Sequence, residues 1–297
     1  MPIPASQKLL FVINPVAGGK SKLNWEAGIR EYFRNSPHAH EIYSTTRTND
    51  IESIKYWVET WKPDKVVAVG GDGTLKLVAE ALLYSETPLC VFPAGSANGM
   101  ARELGMPQDL ESCIGVLLEG EAKKTDIIRI NEHHVCLHLS DIGINAQLVK
   151  YFEENNVRGK LGYARGILRV LINKRLMEVR IRKGDTTLKR TAFMVVLANA
   201  SMYGTGAKIN PVGDLHDGLF EVVILRQLSI VELLKMLFLN APFNPEKTEL
   251  LQAHSLTINV KRKAYFQMDG EYFGKTKKVS AHVEQQALLL IFPKGRE

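Results

Sequence analysis

Apolar residues in the first part of the chain fall into two alternating kinds of run. Leu9 to Ile13, Val66 to Val69 and Leu89 to Phe92 are short uninterrupted stretches that read as buried strands, and Glu41 to Ser44 reads as another. Between them, Trp25 to Phe33, Ile51 to Trp61, Leu75 to Leu83 and Leu110 to Leu118 read as helices. Such alternation predicts a parallel sheet covered on both faces, with ligands bound where strands end and loops begin. After Asp126 the character changes. Ile127 to Ile130, Val135 to Ser140, Glu178 to Lys183, Leu188 to Ala198, Leu219 to Leu225, Ser255 to Val260 and Leu288 to Phe292 read as strands linked mainly by turns. Helices interrupt them near 147–154, 162–174 and 228–239. The expected fold is an α/β domain over residues 1–128 and a mostly antiparallel, β-rich domain over 129–297. The last strand is a candidate to return to the first domain.

Composition narrows the class. The chain has 297 residues, 45% hydrophobic and 24% charged, which fits a folded two-domain protein and excludes a low-complexity or disordered one. Its three cysteines, Cys90, Cys113 and Cys136, lack C-x-x-C spacing, so neither a disulfide framework nor a cysteine zinc site is expected. No continuous apolar run reaches the ~18 residues of a membrane span, and Leu9 to Ile13 is too short for a signal peptide. A cytoplasmic protein is expected. The net charge of +6 points to anionic partners. Its excess is local: eleven Lys/Arg lie between Arg158 and Arg190 against only Glu178 and Asp185. Further clusters are Lys261-Arg262-Lys263 and Lys275 with Lys277-Lys278. A solvated face and a surface for anionic lipid both fit these clusters. No nucleic-acid module accompanies them.

The segments with chemistry sit at strand ends. Gly70-Gly71-Asp72-Gly73-Thr74 follows Val66 to Val69 and opens a helix, so consecutive N–H groups can cradle an anion. The glycines permit positive φ and close approach of a ligand. Thr74 offers a hydroxyl, and Asp72 can bind Mg²⁺ or orient a water in its shell. Pro93 to Gly99 repeats the arrangement after Leu89 to Phe92, with Ser96 and Asn98 as polar handles. Asn14 to Ser21 nearly spells a Walker loop, but Asn14 stands where glycine is required and Pro15 lacks a donor. Asp214-Leu215-His216-Asp217-Gly218-Leu219 can chelate a hard cation or form an ordinary Asp-Gly turn. Asp269-Gly270-Glu271 suits a general base at a strand end, or a hairpin turn. His134, Cys136 and His138 alternate along one strand without a fourth ligand at zinc spacing, and read as ordinary side chains.

Taken together, Asn14-Pro15 with Gly18-Gly19-Lys20, the Gly70–Thr74 loop, Pro93–Asn98, Asp214–Gly218 and Asp269–Glu271 resemble, in this order, the diacylglycerol kinase catalytic family. Bacterial soluble lipid kinases and the sphingosine and ceramide kinases belong to it. The resemblance implies ATP and Mg²⁺ as cofactors, with ATP between two domains, and a lipid acceptor at an anionic membrane surface. It implies nucleotide binding by Asn14, Thr45, Gly70, Gly71, Asp72, Gly73, Thr74, Ser96 and Asn98. Glu271 matches the base that deprotonates the lipid hydroxyl, with Asp72 and Asp269 beside it in the catalytic set. Asp214, Asp217 and the Leu219 carbonyl match a structural Mg²⁺ site, and Asp126 and Lys160 a charged network between domains. The picture is of a cytoplasmic enzyme that associates peripherally with membranes, and it allows a homodimer.

Two departures stand out. The family commonly has Asn-Glu where this chain has Lys76-Leu77, and bacterial members usually have Asn-Asp where it has Asn98-Gly99. Gly-Ser-x-Asn is nearer the sphingosine and ceramide kinases. Two other readings share the glycine loop: an NAD kinase-like enzyme and a nucleotide-binding regulator without catalysis.

Overall fold

The computed structural model describes residues 6–15, 23–155, 166, 175–201, 209–227 and 247–295. Lys160, Gly18-Gly19-Lys20, the helix expected at 228–239 and, but for Gly166, the one at 162–174 lie outside these residues. The chain divides into two compact units: Met1–Thr125 with Gln286–Glu297, and Asp126–Gln285.

In the first unit, strands and helices alternate: β1 (Lys8–Ile13), α1 (Leu23–Phe33), β2 (Ala39–Ser44), α2 (Asp50–Trp61), β3 (Lys65–Gly70), α3 (Asp72–Leu82), β4 (Leu89–Pro93), α4 (Gly99–Glu103) and α5 (Leu110–Glu119). The four strands are parallel, in the order β2-β1-β3-β4. Leu9–Ile13, Val66–Val69 and Leu89–Phe92 are buried without alternation, as expected for parallel strands covered on both faces. Phe11 packs its ring against Phe33 and Phe92, with centroids 5.5 and 6.0 Å away. From β1 the chain goes to β2 on one side and then to β3 on the other. This reversal creates a switch point beside the C-terminal end of β1, the usual ligand crevice of open α/β sheets.

The second unit is antiparallel. Its elements are β6 (His134–Cys136), β7 (Leu139–Gly143), α6 (Ile144–Asn155), β8 (Met177–Lys183), β9 (Thr186–Ala192), β10 (Met194–Ala198), β11 (Phe220–Leu225), β12 (Thr248–Ala253) and β13 (Ser255–Met268). Strand order runs β12-β11-β10-β7-β13, and β8 bridges β13 and β9. Its core includes Ile128, Ile142, Val195, Phe220, Val222, Ile258, Phe266 and Val279.

Two strands belong to both units, β5 (Glu121–Ile130) and β14 (Glu271–Phe292). The end of β14 lies parallel to β4, with Leu290 beside Leu89. It is held there by Tyr84 N–H to the Ala287 carbonyl (2.8 Å) and by the Thr125 hydroxyl to the Leu288 carbonyl (3.0 Å).

Several expected elements differ in extent. Val135–Ser140 is two strands because the N–H groups of Leu137 and His138 turn to the Asp269 carboxylate (3.1 and 2.9 Å). Leu188–Ala198 divides at Phe193, whose N–H goes to Leu225 and whose carbonyl receives Ile144 N–H. β12 and α4 have no counterpart in the sequence pattern.

Candidate active site

Within the first unit, the residues predicted to hold nucleotide gather at the C-terminal ends of β1 to β4. Asn14 N–H donates to the Val69 carbonyl (3.3 Å), Thr45 N–H to Ile13 (2.9 Å) and Ala94 N–H to Gly70 (2.9 Å). The ends of all four strands are thereby stitched together. Thr45 is followed by a loop organised by Asp50. This carboxylate accepts from the N–H groups of Thr46 and Arg47 (2.8 Å each) and from Tyr43 Oη (2.7 Å). Burial works to raise the Asp50 pKa, but these hydrogen bonds outweigh it and hold the group below its ordinary range.

The two glycine loops meet backbone to backbone. A methyl group on Gly95 would lie 2.3 Å from Gly71 Cα, and one on Gly70 would lie 2.2 Å from Thr74 Oγ1. Space is what requires glycine here, since Gly71 has φ −95°. That differs from the positive φ the sequence allowed. Asn98, in the left-handed region (φ 53°), accepts Gly95 N–H at its Oδ1 (2.8 Å) and donates from Nδ2 to Gly95 and Pro93. Asp72 crosses from the first loop to the second: its two oxygens accept the N–H groups of Gly99 (3.0 Å) and Met100 (3.1 Å). The carboxylate thus caps the next helix in space, and any role toward a metal comes in addition to this tie. Gly73 and Ser96 are exposed, whereas Thr74 is buried and its hydroxyl has no protein partner among the described residues. An orphaned hydroxyl under a helix N-terminus and two backbone turns is an arrangement suited to phosphate.

In the second unit, Asp126 and the 214–219 loop come together. The buried Asp126 carboxylate accepts Gly218 N–H (2.7 Å), while its own N–H donates to the Leu215 carbonyl (2.7 Å). Asp214 and Asp217 are exposed, and each spends one oxygen on the N–H two residues on, His216 and Leu219 (2.9 Å each). Each turn leaves its second carboxylate oxygen over. With the Leu219 carbonyl these are hard oxygen donors of the kind Mg²⁺ takes. Among the described residues no cluster of three or more His, Cys, Asp or Glu is placed to hold a metal.

Asp269 and Gly270 form the two-residue turn between β13 and β14, with φ 48° and 84°. Positive φ at both positions is the signature of the hairpin turn that Asp-Gly favours. Asp269 is occupied in holding the backbone of Leu137 and His138, so the exposed carboxylate is that of Glu271, the first residue of β14. The neighbours of Glu271 are pinned on both sides. Gly270 N–H donates to Gln267 Oε1 (2.9 Å), and Tyr272 N–H donates to Glu153 of α6 (2.9 Å). Gln267 in turn donates to Asp141, which caps α6 through Ala146 N–H (2.9 Å).

Residues 8–130 match the diacylglycerol kinase catalytic domain family. Residues 140–292 match the YegS C-terminal NAD kinase beta sandwich-like domain. Together the two models span most of the chain, which belongs to the lipid kinases that join a diacylglycerol kinase catalytic domain to a YegS C-terminal domain. A diacylglycerol kinase of Bacillus subtilis is 24% identical over 274 residues, which cover 89% of each chain. One of Staphylococcus epidermidis is 28% identical over 233 residues, 75% of this chain and 72% of that one. The crystal structure of a diacylglycerol kinase from Bacillus anthracis shares the fold, with a TM-score of 0.73 at 18% identity over 98% of this chain and 99% of that one.

As a member of this family the chain is a lipid kinase. Sequence reasoning missed four of the residues that organise its site. Asp50 and Asp141 had a local signal, a carboxylate just ahead of a helical run. Gln267 and Glu153 had none, because each acts on a residue of the hairpin through the fold. Of the alternating trio, His134 packs on Phe273 with centroids 5.3 Å apart, Cys136 is buried with its thiol 3.5 Å from Asp269 Oδ1, and His138 is buried with no partner for its Nε2 among the described residues.

Proposed function

We propose that this lipid kinase transfers the γ-phosphoryl group of ATP to the hydroxyl of a diacylglycerol-like lipid at an anionic membrane surface, with Glu271 as general base. The observation that carries the reading is the gathering of Asn14, Thr45, Gly70–Thr74 and Gly95–Asn98 at the C-terminal ends of four parallel strands. Backbone N–H groups, the N-terminus of α3 and the unpartnered Thr74 hydroxyl offer the donors that a polyphosphate needs. Phosphoryl transfer asks a protein for alignment and charge neutralisation more than for covalent chemistry.

Glu271 is the exposed carboxylate of the hairpin, on a backbone fixed by Gln267, Glu153 and Asp269. A fixed carboxylate within hydrogen-bond reach of the acceptor takes the hydroxyl proton as oxygen attacks phosphorus. Asp72 acts as a positioning residue by locking the second loop to the first. Asp214, Asp217 and the Leu219 carbonyl would hold Mg²⁺, with Asp126 fixing their loop. Bound there, the ion would rigidify an acidic loop and neutralise its charge.

Glu271→Gln keeps the shape of the side chain and removes its basicity. Transfer to lipid should fall ~10²–10⁴-fold while ATP affinity stays at the parental value. A variant that retains full turnover would remove Glu271 from the role of base.

A further inference from the structure

Strand β13 changes partner within the second unit. It pairs with β8 from Thr257 to Val260 and with β7 from Phe266 to Met268. Between these stretches its register against β14 shifts. Lys261, Arg262 and Lys263 occupy this irregular stretch. Bulges of this kind re-aim side chains and recur beside functional sites. Here the strand switch opens a cavity of about 670 Å³, the size of a small-ligand pocket.

The cavity has two chemistries. Arg175, Lys261, Arg262, Lys263 and Lys275 line it against one carboxylate, Glu178. Glu178 answers Lys261 alone, at 2.7 Å. The other four cations have no ion-pair partner among the described residues. Lys275 stands 4.3 Å above the ring of Tyr265, which holds its ammonium without neutralising it. Ile144, Met177 and Phe193 line the cavity too, and Leu176 is 55% exposed at it. Four like charges around one cavity repel each other until an anion enters. An exposed leucine beside them has no use for a purely polar anion.

We propose that this cavity binds the phosphate-bearing headgroup of an anionic lipid, with the cations on the phosphate and the apolar wall on the glycerol and first acyl carbons. Lys275 is four residues along β14 from Glu271, roughly 13 Å in extended chain. The lipid in the cavity is therefore a neighbour of the acceptor in the membrane, held so that the acceptor's hydroxyl is left to Glu271. The site gives the kinase a preference for phosphate-rich membrane that non-specific attraction to its basic surface would not.

The test reads binding of the full chain, without ATP, to phosphatidylcholine vesicles with and without phosphatidic acid. Its outcome is thus independent of the transfer reaction. Arg262→Ala with Lys263→Ala removes two charges from the cavity. Arg180→Ala with Lys189→Ala removes two from the exposed face of β8 and β9 outside it. The cavity pair should lose at least about tenfold in affinity for the phosphatidic acid vesicles, and the surface pair much less. Lys275→Gln, on a different strand, should show the same selective loss. Water-soluble short-chain phosphatidic acid should compete, and glycerol 3-phosphate should not. Equal losses in the two pairs, or no loss in the cavity pair, would overturn the site. Equal competition by glycerol 3-phosphate would overturn the lipid and leave a site for free phosphate monoesters.

Discussion

Gly71 and Gly95 are not equivalent, although both lie where the two phosphate loops touch. A methyl group on Gly95 would come within 2.3 Å of Gly71 Cα, while one on Gly71 would stay 3.3 Å from Gly95 Cα. Gly95→Ala should force the loops apart, destabilise the chain by ~1–3 kcal/mol and weaken ATP binding at least about tenfold. Gly71→Ala, whose methyl group asks the facing loop to give by only a few tenths of an ångström, should lower the melting temperature less than Gly95→Ala does. Equal effects would contradict the backbone contact. Glu221 makes a second residue-scale case. Its burial pushes the pKa above the ordinary value of 4.5; hydrogen bonds from Gln252 and Asn210 oppose the rise, and the Asp217 charge adds to it. A carboxyl group whose pKa is raised by folding holds its proton more tightly in the folded state. Its contribution to stability is fully present below the unfolded value and is lost as pH rises through the folded one. The Tm of Glu221→Gln relative to the parent should therefore climb from acid toward neutral pH. A difference independent of pH would show that Glu221 titrates normally.

At the scale of elements, the β13–β14 hairpin connects sequence to chemistry. Its Asp-Gly turn is legible in the sequence, because positive φ at two positions selects those residues. The lengths of its strands are not. Lys261–Lys263 and Lys275–Lys278 break the apolar alternation, and pairing with β8, β7 and β14 carries the backbone through them. α4 is hidden for a similar reason: it opens on Gly99, and its cap is Asp72, 27 residues earlier. The glycine loops were readable because their signal is local, a strand followed at once by small residues. The tie between Gln267 and Asp141 was not, since 126 residues separate the two. Asp269 shows the turn acting as a device. Removing its carboxylate leaves the N–H groups of Leu137 and His138 without their acceptor and frees the backbone before Glu271. Asp269→Ala should cost about 2 kcal/mol in urea unfolding and slow transfer more than it weakens ATP binding. Unchanged stability would remove the structural role of Asp269.

For the molecule as a whole, the chain passes between its two units twice, at Thr125/Asp126 within β5 and at Gln285/Gln286 within β14. The last strand of the parallel sheet thus comes from the far end of the sequence, and the nucleotide loops share a unit with it. The acidic loop, the hairpin base and the basic cavity belong to the second unit. Among the described residues no helix is long and apolar enough to cross a membrane. Under the proposed function the lipid acceptor is met at an anionic surface, which the net charge of +6 favours. The most direct measurement is transfer from γ-labelled ATP with Mg²⁺ to a panel of diacylglycerol, monoacylglycerol, phosphatidylglycerol, sphingosine and ceramide, with NAD beside them. The predicted result is label in a lipid of the panel, none in NAD, and label in that lipid reduced ~10²–10⁴-fold with Glu271→Gln. Label in NAD, or ATP binding with no lipid labelled, would contradict the account.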